Sequence, residues 1–269
     1  MGETLHELYS SLNSLVVSDD INSQLYYLGM VEEHRHIPVD YLIELGVMFI
    51  PNNEYIRYYL GNRLDGSNVG LYYGDNCAWT LFVTIPIKDL SGTICGIVGW
   101  DAYNKYKSIT EGQQDLPSYK VSHKSVFPRE KYFLGDIECL KRNFDSRVVF
   151  VTDGVFDALS LSSRNIPAVA LLGSSFSSEL LYFFSWYKVI YICADNDEAG
   201  NKLYERLRRA NPNVYCVRQN KTKDIEELLR TDGKDGPITR QLKSLVVSPV
   251  RSDVMLEGAG SRRFRRSTT

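Results

Sequence analysis

The chain has 269 residues, 43% of them hydrophobic, enough apolar material for one large or two modest domains. Its formal charge is −2, so it is no bulk polycation, and any polyanion binding needs a local basic surface. No stretch approaches a membrane span and no signal peptide opens the chain, which predicts a soluble, cytoplasmic protein without membrane attachment.

Leu5, Leu8, Leu12 and Leu15 are spaced like one helix face, and a short second helix is expected over Ile21 to Leu28. Glu32-Glu33-His34-Arg35-His36 reads as a solvated polar turn before Pro38, since two histidines two apart are poorly spaced as helical metal ligands. A helix over Val39–Leu45 should stop at Gly46 and give way to a strand. Tyr55 to Leu60 is β-prone, and 62–67 is a loop. Leu81–Ile87 and Ile94–Val98 read as a hairpin joined through Asp89-Leu90-Ser91-Gly92. Tyr103, Tyr106 and Tyr119 interleave with Lys105, Lys107 and Lys120, a pattern that can stack bases while tracking phosphates. Five cysteines (Cys77, Cys95, Cys139, Cys193, Cys216) form no C-x-x-C pair and read as reduced core thiols. There is no zinc-ligand spacing and no P-loop.

The stretch from Val148 to Leu229 carries the chemistry. Val148–Val151 is a short β-branched run, hence a buried strand, broken by Thr152-Asp153-Gly154 and followed by helical spacing from Phe156 to Leu161. Val189 to Ala194 repeats the design, ending in Asp195-Asn196-Asp197 and a helix with Lys202, Arg206, Arg208 and Arg209. Gly173-Ser174-Ser175 follows a third strand, and Lys221 and Lys223 precede Asp224, with Glu226 and Glu227 behind it. Sites in open α/β sheets form outside the carboxyl ends of parallel strands, so Asp153, Asp195 and Asp197 should meet at one edge. Two carboxylates ~4 Å apart repel by ~4 kcal/mol at an effective dielectric near 20, a cost that a hard divalent cation removes. The plain alternative is that Asp153 and Asp197 are helix N-caps.

The ordered set acid-Gly-x-x-Asp-Ala-Leu, Leu-Gly-Ser-Ser, Asp-x-Asp-x-Ala-Gly and Lys-Asp resembles the TOPRIM domain of primases, topoisomerases and some nucleases. Upstream, Pro-Ile-x-Asp-x-x-Gly-x-x-x-Gly resembles the N-terminal part of bacterial-type primases. Pro117 to Ser122 and Phe127-Pro128-Arg129-Glu130-Lys131 resemble two segments that precede TOPRIM there. Two departures stand out. The family's usual Glu is Asp153 here, shorter by one methylene, about 1.5 Å of reach. The family's Gly-Arg after the second hairpin strand is Gly99-Trp100-Asp101, with Lys105 and Lys107 the next cations.

The resemblance implies an α/β protein with three parts. Residues 1–145 form a mixed α/β N-terminal subdomain with a basic groove, and residues 146–236 a TOPRIM catalytic domain on a mainly parallel central sheet flanked by helices. Residues 237–269 form a C-terminal extension whose basic tail (Arg262, Arg263, Arg265, Arg266) is expected to be disordered. It implies a DNA primase of phage type, making short RNA primers on single-stranded DNA from ribonucleoside triphosphates, with Mg²⁺ or Mn²⁺ as cofactor and a separate replicative helicase as a candidate partner. Asp153, Asp157, Asp195 and Asp197 would be the catalytic acids. Asp153, Asp195, Asp197 and Asp224 would hold metal, and Lys120, Arg129, Lys131 and Lys223 would bind nucleotide or nucleic acid. A solvated basic loop is the plain reading of Arg129 and Lys131. A TOPRIM nuclease and a non-catalytic replication accessory are the rival functions.

Overall fold

A computed structural model describes residues 4–51, 72–73, 76–77, 81–102, 131–172, 177–193, 198–219 and 225–256. The chain divides into two compact units, Met1–Ile137 and Glu138–Thr269. Among the described residues, no helix is long and apolar enough to cross a membrane.

The first unit opens with α1 (Leu5–Asp19) and α2 (Ile21–Arg35). Thr4 and Glu7 form a capping box at the start of α1, each side chain accepting from the other's backbone N–H. The leucine face acts as expected: Leu8 and Leu12 are buried with Val16, Met48, Ile50, Ile94 and Ile97, while Leu5 and Leu15 pack against that cluster. Asp20 ends α1 and caps α2 by accepting from Ser23 N at 3.2 Å. Helix α2 runs seven residues past Leu28 and absorbs Glu32 to Arg35, so the polar turn expected there shrinks to His36, which stops the helix at φ 51°. Buried Met30 and Val31 supply the apolar anchors that keep this half helical.

Helix α3 (Val39–Leu45) ends at Gly46, whose φ of 82° is in the left-handed region that glycine tolerates, and β1 (Met48–Phe49) follows. Gln24 extends the sheet from α2: its Oε1 accepts from Phe49 N at 2.8 Å and its Nε2 donates to Phe49 O at 2.6 Å. A two-residue antiparallel pair, β2 (Tyr72–Tyr73) with β3 (Asn76–Cys77), precedes the main hairpin. That hairpin is β4 (Val83–Lys88) against β5 (Ile94–Trp100), in an antiparallel sheet ordered β1-β4-β5. The Asp89 carboxylate organises its turn by accepting from Ser91 N and Thr93 N, with Gly92 at φ 89°. A short strand β6 (Phe133–Gly135) lies near the end of the unit.

In the second unit, α4 (Ile137–Arg142, whose first residue closes the first unit) and a 3₁₀ turn lead into β7 (Val148–Thr152). The remaining strands are β8 (Ala168–Leu171), β9 (Val189–Ile192), β10 (Val214–Gln219) and β11 (Val254–Leu256). Within the unit the order is β11-β10-β9-β7-β8, with β7 paired in parallel to β8 and β9, and β10 in parallel to β9 and β11. Every residue of β7, β8 and β9 is buried, as expected for parallel strands covered on both faces. Helix α5 (Val155–Ser162) packs on β7 and β8, and α6 (Ser178–Ser185) connects β8 to β9. Helix α7 (Glu198–Ala210) packs on β10. Helix α8 (Ile225–Asp232) packs on α5 and on α9 (Pro237–Val247).

Two staples hold the sheet's ends. At the amino ends of β7 and β9, Arg147 O accepts from Lys188 N and Val189 N, while its guanidinium lies 4.0 Å over the Phe144 ring. At the far edge, Asp253 accepts from Cys216 N at 2.8 Å, and Tyr191 OH donates to Val250 O at 2.7 Å. Residues 237–256, read from sequence as an extension beyond the catalytic domain, therefore supply a helix and an edge strand to this unit.

Candidate catalytic edge

Strand β7 ends at Thr152, and Asp153 is the next residue. Strand β9 is its parallel neighbour, with Val151 opposite Ile192. The ladder continues to Cys193, whose N–H donates to Val151 O at 2.8 Å. The chain thus enters residues 194–197 from the strand beside β7, at the same carboxyl edge that carries Asp153. Strand β10 ends at Gln219, again at that edge, with Cys216 opposite Ile192. Asp195, Asp197, Lys223, Asp224, Lys120 and Arg129 lie outside the described residues, as do Gly173-Ser174-Ser175, the tyrosine–lysine stretch from Tyr103 to Lys120 and the arginine tail.

Asp153 is exposed and is not a helix cap. The N-cap of α5 is Gly154, with no side-chain cap bond, so the capping alternative fails at this position. Thr152, fully buried, turns the strand into the helix by donating its hydroxyl to Gly154 O at 2.8 Å.

Asp157 sits in the first turn of α5 and is 9% exposed. Its Oδ1 accepts from Glu226 N at 3.0 Å, across 69 residues of sequence. That amide is in the first turn of α8, where backbone N–H groups have no partner inside the helix and the dipole favours a negative charge. Asp157 thereby ties the helix after Asp153 to the helix after Asp224. Glu226 is buried too, 3% exposed. Gly154 makes room for this arrangement, because a Cβ there would overlap Asp157 Oδ2. Gly154→Ala is therefore expected to lower stability by about 1–3 kcal/mol, read by urea unfolding. An alanine variant as stable as the parent would mean the carboxylate moves aside freely.

Cys193, buried at the end of β9, has its thiol pKa pushed well above the usual value, first by burial and then by the fields of Cys216, Asp157 and Asp153. Carboxylate oxygens at a strand edge are the donor set that a hard divalent cation prefers, so the residues present fit such an ion. Among the described residues, no three His, Cys, Asp or Glu side chains gather as a metal cluster. Lys131, in the first unit, is exposed two residues before β6. Cys139, Cys193 and Cys216 are buried and in no disulfide, as expected from sequence, whereas Cys95, also unbridged, is only half-buried.

A family profile described as Toprim-like matches residues 150–229. These residues form a Toprim-like domain. The match runs from within β7 to within α8 and takes in Asp153, Asp157, Asp195, Asp197, Lys223 and Asp224. The Gene 57 protein of Mycobacterium phage D29 is 26% identical over 137 residues, covering 51% of this chain and 84% of that protein. The DNA primase of Mycoplasma genitalium is 25% identical over 172 residues, 60% of this chain, which spans only 26% of that primase. A solved DnaG primase catalytic domain bound to single-stranded DNA superposes with a TM-score of 0.64 at 20% identity, covering 90% of this chain and 80% of that one. The chain has the fold of a primase catalytic core, with the Toprim-like domain in its second unit. The expected α/β class and parallel sheet are thereby met.

One residue of this region escaped sequence reasoning. Arg164 is 5% exposed, yet in the sequence it sits in a serine-rich turn, Ser162-Ser163-Arg164-Asn165, that looks like an ordinary solvated connection. Its neighbours Ser160 and Ser162 are buried as well, which polar residue types in a short serine-rich stretch do not signal.

Proposed function

We propose that this chain is a DNA primase catalytic core that makes short RNA primers on a single-stranded DNA template by nucleotidyl transfer. The observation that carries this reading is the shared carboxyl edge of β7 and β9, from which Asp153 and the segment bearing Asp195 and Asp197 both emerge inside a Toprim-like domain. The Mycoplasma relative is a DNA primase, and a structural neighbour of the same fold binds single-stranded DNA.

Asp195, Asp197 and Asp224 would hold Mg²⁺ or Mn²⁺, with Asp153 close by. Bound there, such ions neutralise a triphosphate and lower the pKa of an attacking 3′-hydroxyl. Asp153, exposed at the strand end, would take up the hydroxyl proton or bind the metal through water, its shorter arm favouring the water-linked arrangement. Asp157 would hold α8, and so the segment before it, in place. Lys120, Arg129, Lys131 and Lys223 would neutralise template and nucleotide phosphates, giving salt-sensitive binding. Ribonucleoside triphosphates are the substrates of this reading, and a separate replicative helicase is its candidate protein partner.

The shortened acid at Asp153 and the Trp100-Asp101 pair in place of the primase arginine favour a second reading, a non-catalytic replication accessory. One experiment separates these and the nuclease alternative. The chain is incubated with a labelled single-stranded template, four ribonucleotides and Mn²⁺ or Mg²⁺. Template-dependent ribonucleotide oligomers support the primase. Cut template strands replace it with a nuclease, and DNA binding with neither product replaces it with an accessory.

A further inference from the structure

The contact between α5 and α8 is closed at both ends by side chains from one short stretch. At the α8 amino end Asp157 accepts from Glu226 N. At the other end Arg164, in the turn after α5, reaches beneath α8. Its Nη1 donates to Ser160 O at 2.8 Å and to Ser160 Oγ at 3.0 Å, and its Nη2 donates to Leu229 O at 3.3 Å. Leu229 is in the second turn of α8, and its carbonyl also accepts from Gly233 N as the helix ends. Asp232, the last residue of α8, passes the constraint on by accepting from Ile238 N and Thr239 N at the start of α9.

This is an expensive way to join two helices. Arg164 Nε is buried and has no hydrogen-bond partner. Burial pulls the guanidinium pKa down, opposed by the Asp232 and Glu226 carboxylates. An apolar side chain of similar volume would join two helices at no such desolvation cost and is often as stable or more so. What the arginine adds is direction: a planar fork fixes the rotation and height of α8 relative to α5, where an apolar contact would let it slide.

We infer that Arg164 is a positioning residue that sets α8, and with it the Asp224 segment, against the Asp153 end of α5. The inference rests on the proposed metal-binding role of those acids. Its test uses the full chain and reads metal binding apart from catalysis. Mn²⁺ affinity is measured by electron paramagnetic resonance without template or nucleotide, for the parent, Arg164→Met and Arg164→Lys. Arg164→Met should stay folded and bind Mn²⁺ about 10-fold more weakly, the effect typical of removing a residue that orients metal ligands. Arg164→Lys should fall between, because it keeps the charge but not the fork. Phe184→Leu, a smaller side chain at a buried position of α6, serves as the control for general loss of stability and should leave Mn²⁺ affinity unchanged.

Mn²⁺ affinity in Arg164→Met within about twofold of the parent overturns the inference, as does an equal loss in Phe184→Leu. If the methionine variant does not fold, the lysine variant decides alone: weakened binding supports the inference and unchanged binding overturns it. A parent chain with no saturable Mn²⁺ binding overturns it as well. A parent that binds Mn²⁺ but makes no primers removes the primase reading and leaves this inference standing.

Discussion

Asp195→Asn is expected to lower primer synthesis by at least about 10³-fold while the chain stays folded. The two side chains are nearly isosteric, so the substitution removes charge rather than volume. A carboxylate that holds a divalent ion contributes several kcal/mol to stabilising charge at the transition state, and ~4 kcal/mol corresponds to about 10³ in rate. Folding should be spared because the substitution keeps the side chain's size and Asp195 lies three residues beyond the last residue of β9, Ile192. The measurement pairs a template-directed polymerisation assay with a thermal melt. Primer yield close to the parent, in a variant that melts normally, removes Asp195 from the metal site and takes the proposed mechanism with it. Asp197→Asn should behave alike, since the proposed site counts both carboxylates among its metal ligands.

The parallel sheet was legible because Val148–Val151 and the run from Val189 are short, β-branched and uninterrupted, which only a doubly covered strand allows. The hairpin turn at Asp89 and the stop at Gly46 were legible because their backbone geometry demands those residue types. The second half of α2 was not, since Glu32 to Arg35 are polar and its apolar anchors, Met30 and Val31, are adjacent rather than spaced along a face. Strand β11 was hidden by its length of three residues, beside the start of a basic tail. At the candidate site, acids could be matched to strand ends from spacing alone. Spacing cannot show that an Asp157 oxygen is committed to an amide 69 residues away, or that Arg164 is buried, because both depend on how α5 meets α8.

That commitment makes Asp157 the second decisive position. Asp157→Ala should lower stability by about 1–3 kcal/mol, because it leaves the Glu226 N–H without its charged acceptor and opens a small void beside Gly154. Primer synthesis should fall about 10²-fold, the cost of letting the Asp224 segment drift. Asp157→Asn separates the two roles available to this carboxylate. The amide oxygen can still accept from Glu226 N, so a positioning residue should recover most of its effect, with stability within about 1 kcal/mol of the parent and activity within about tenfold. A carboxylate that sits directly on a metal has no such rescue, since neutral Asn would be nearly as damaging as Ala. The buried bond to α8 favours rescue. Equal loss in Asn and Ala, at unchanged stability in Asn, would instead move Asp157 into the metal shell with Asp195 and Asp197.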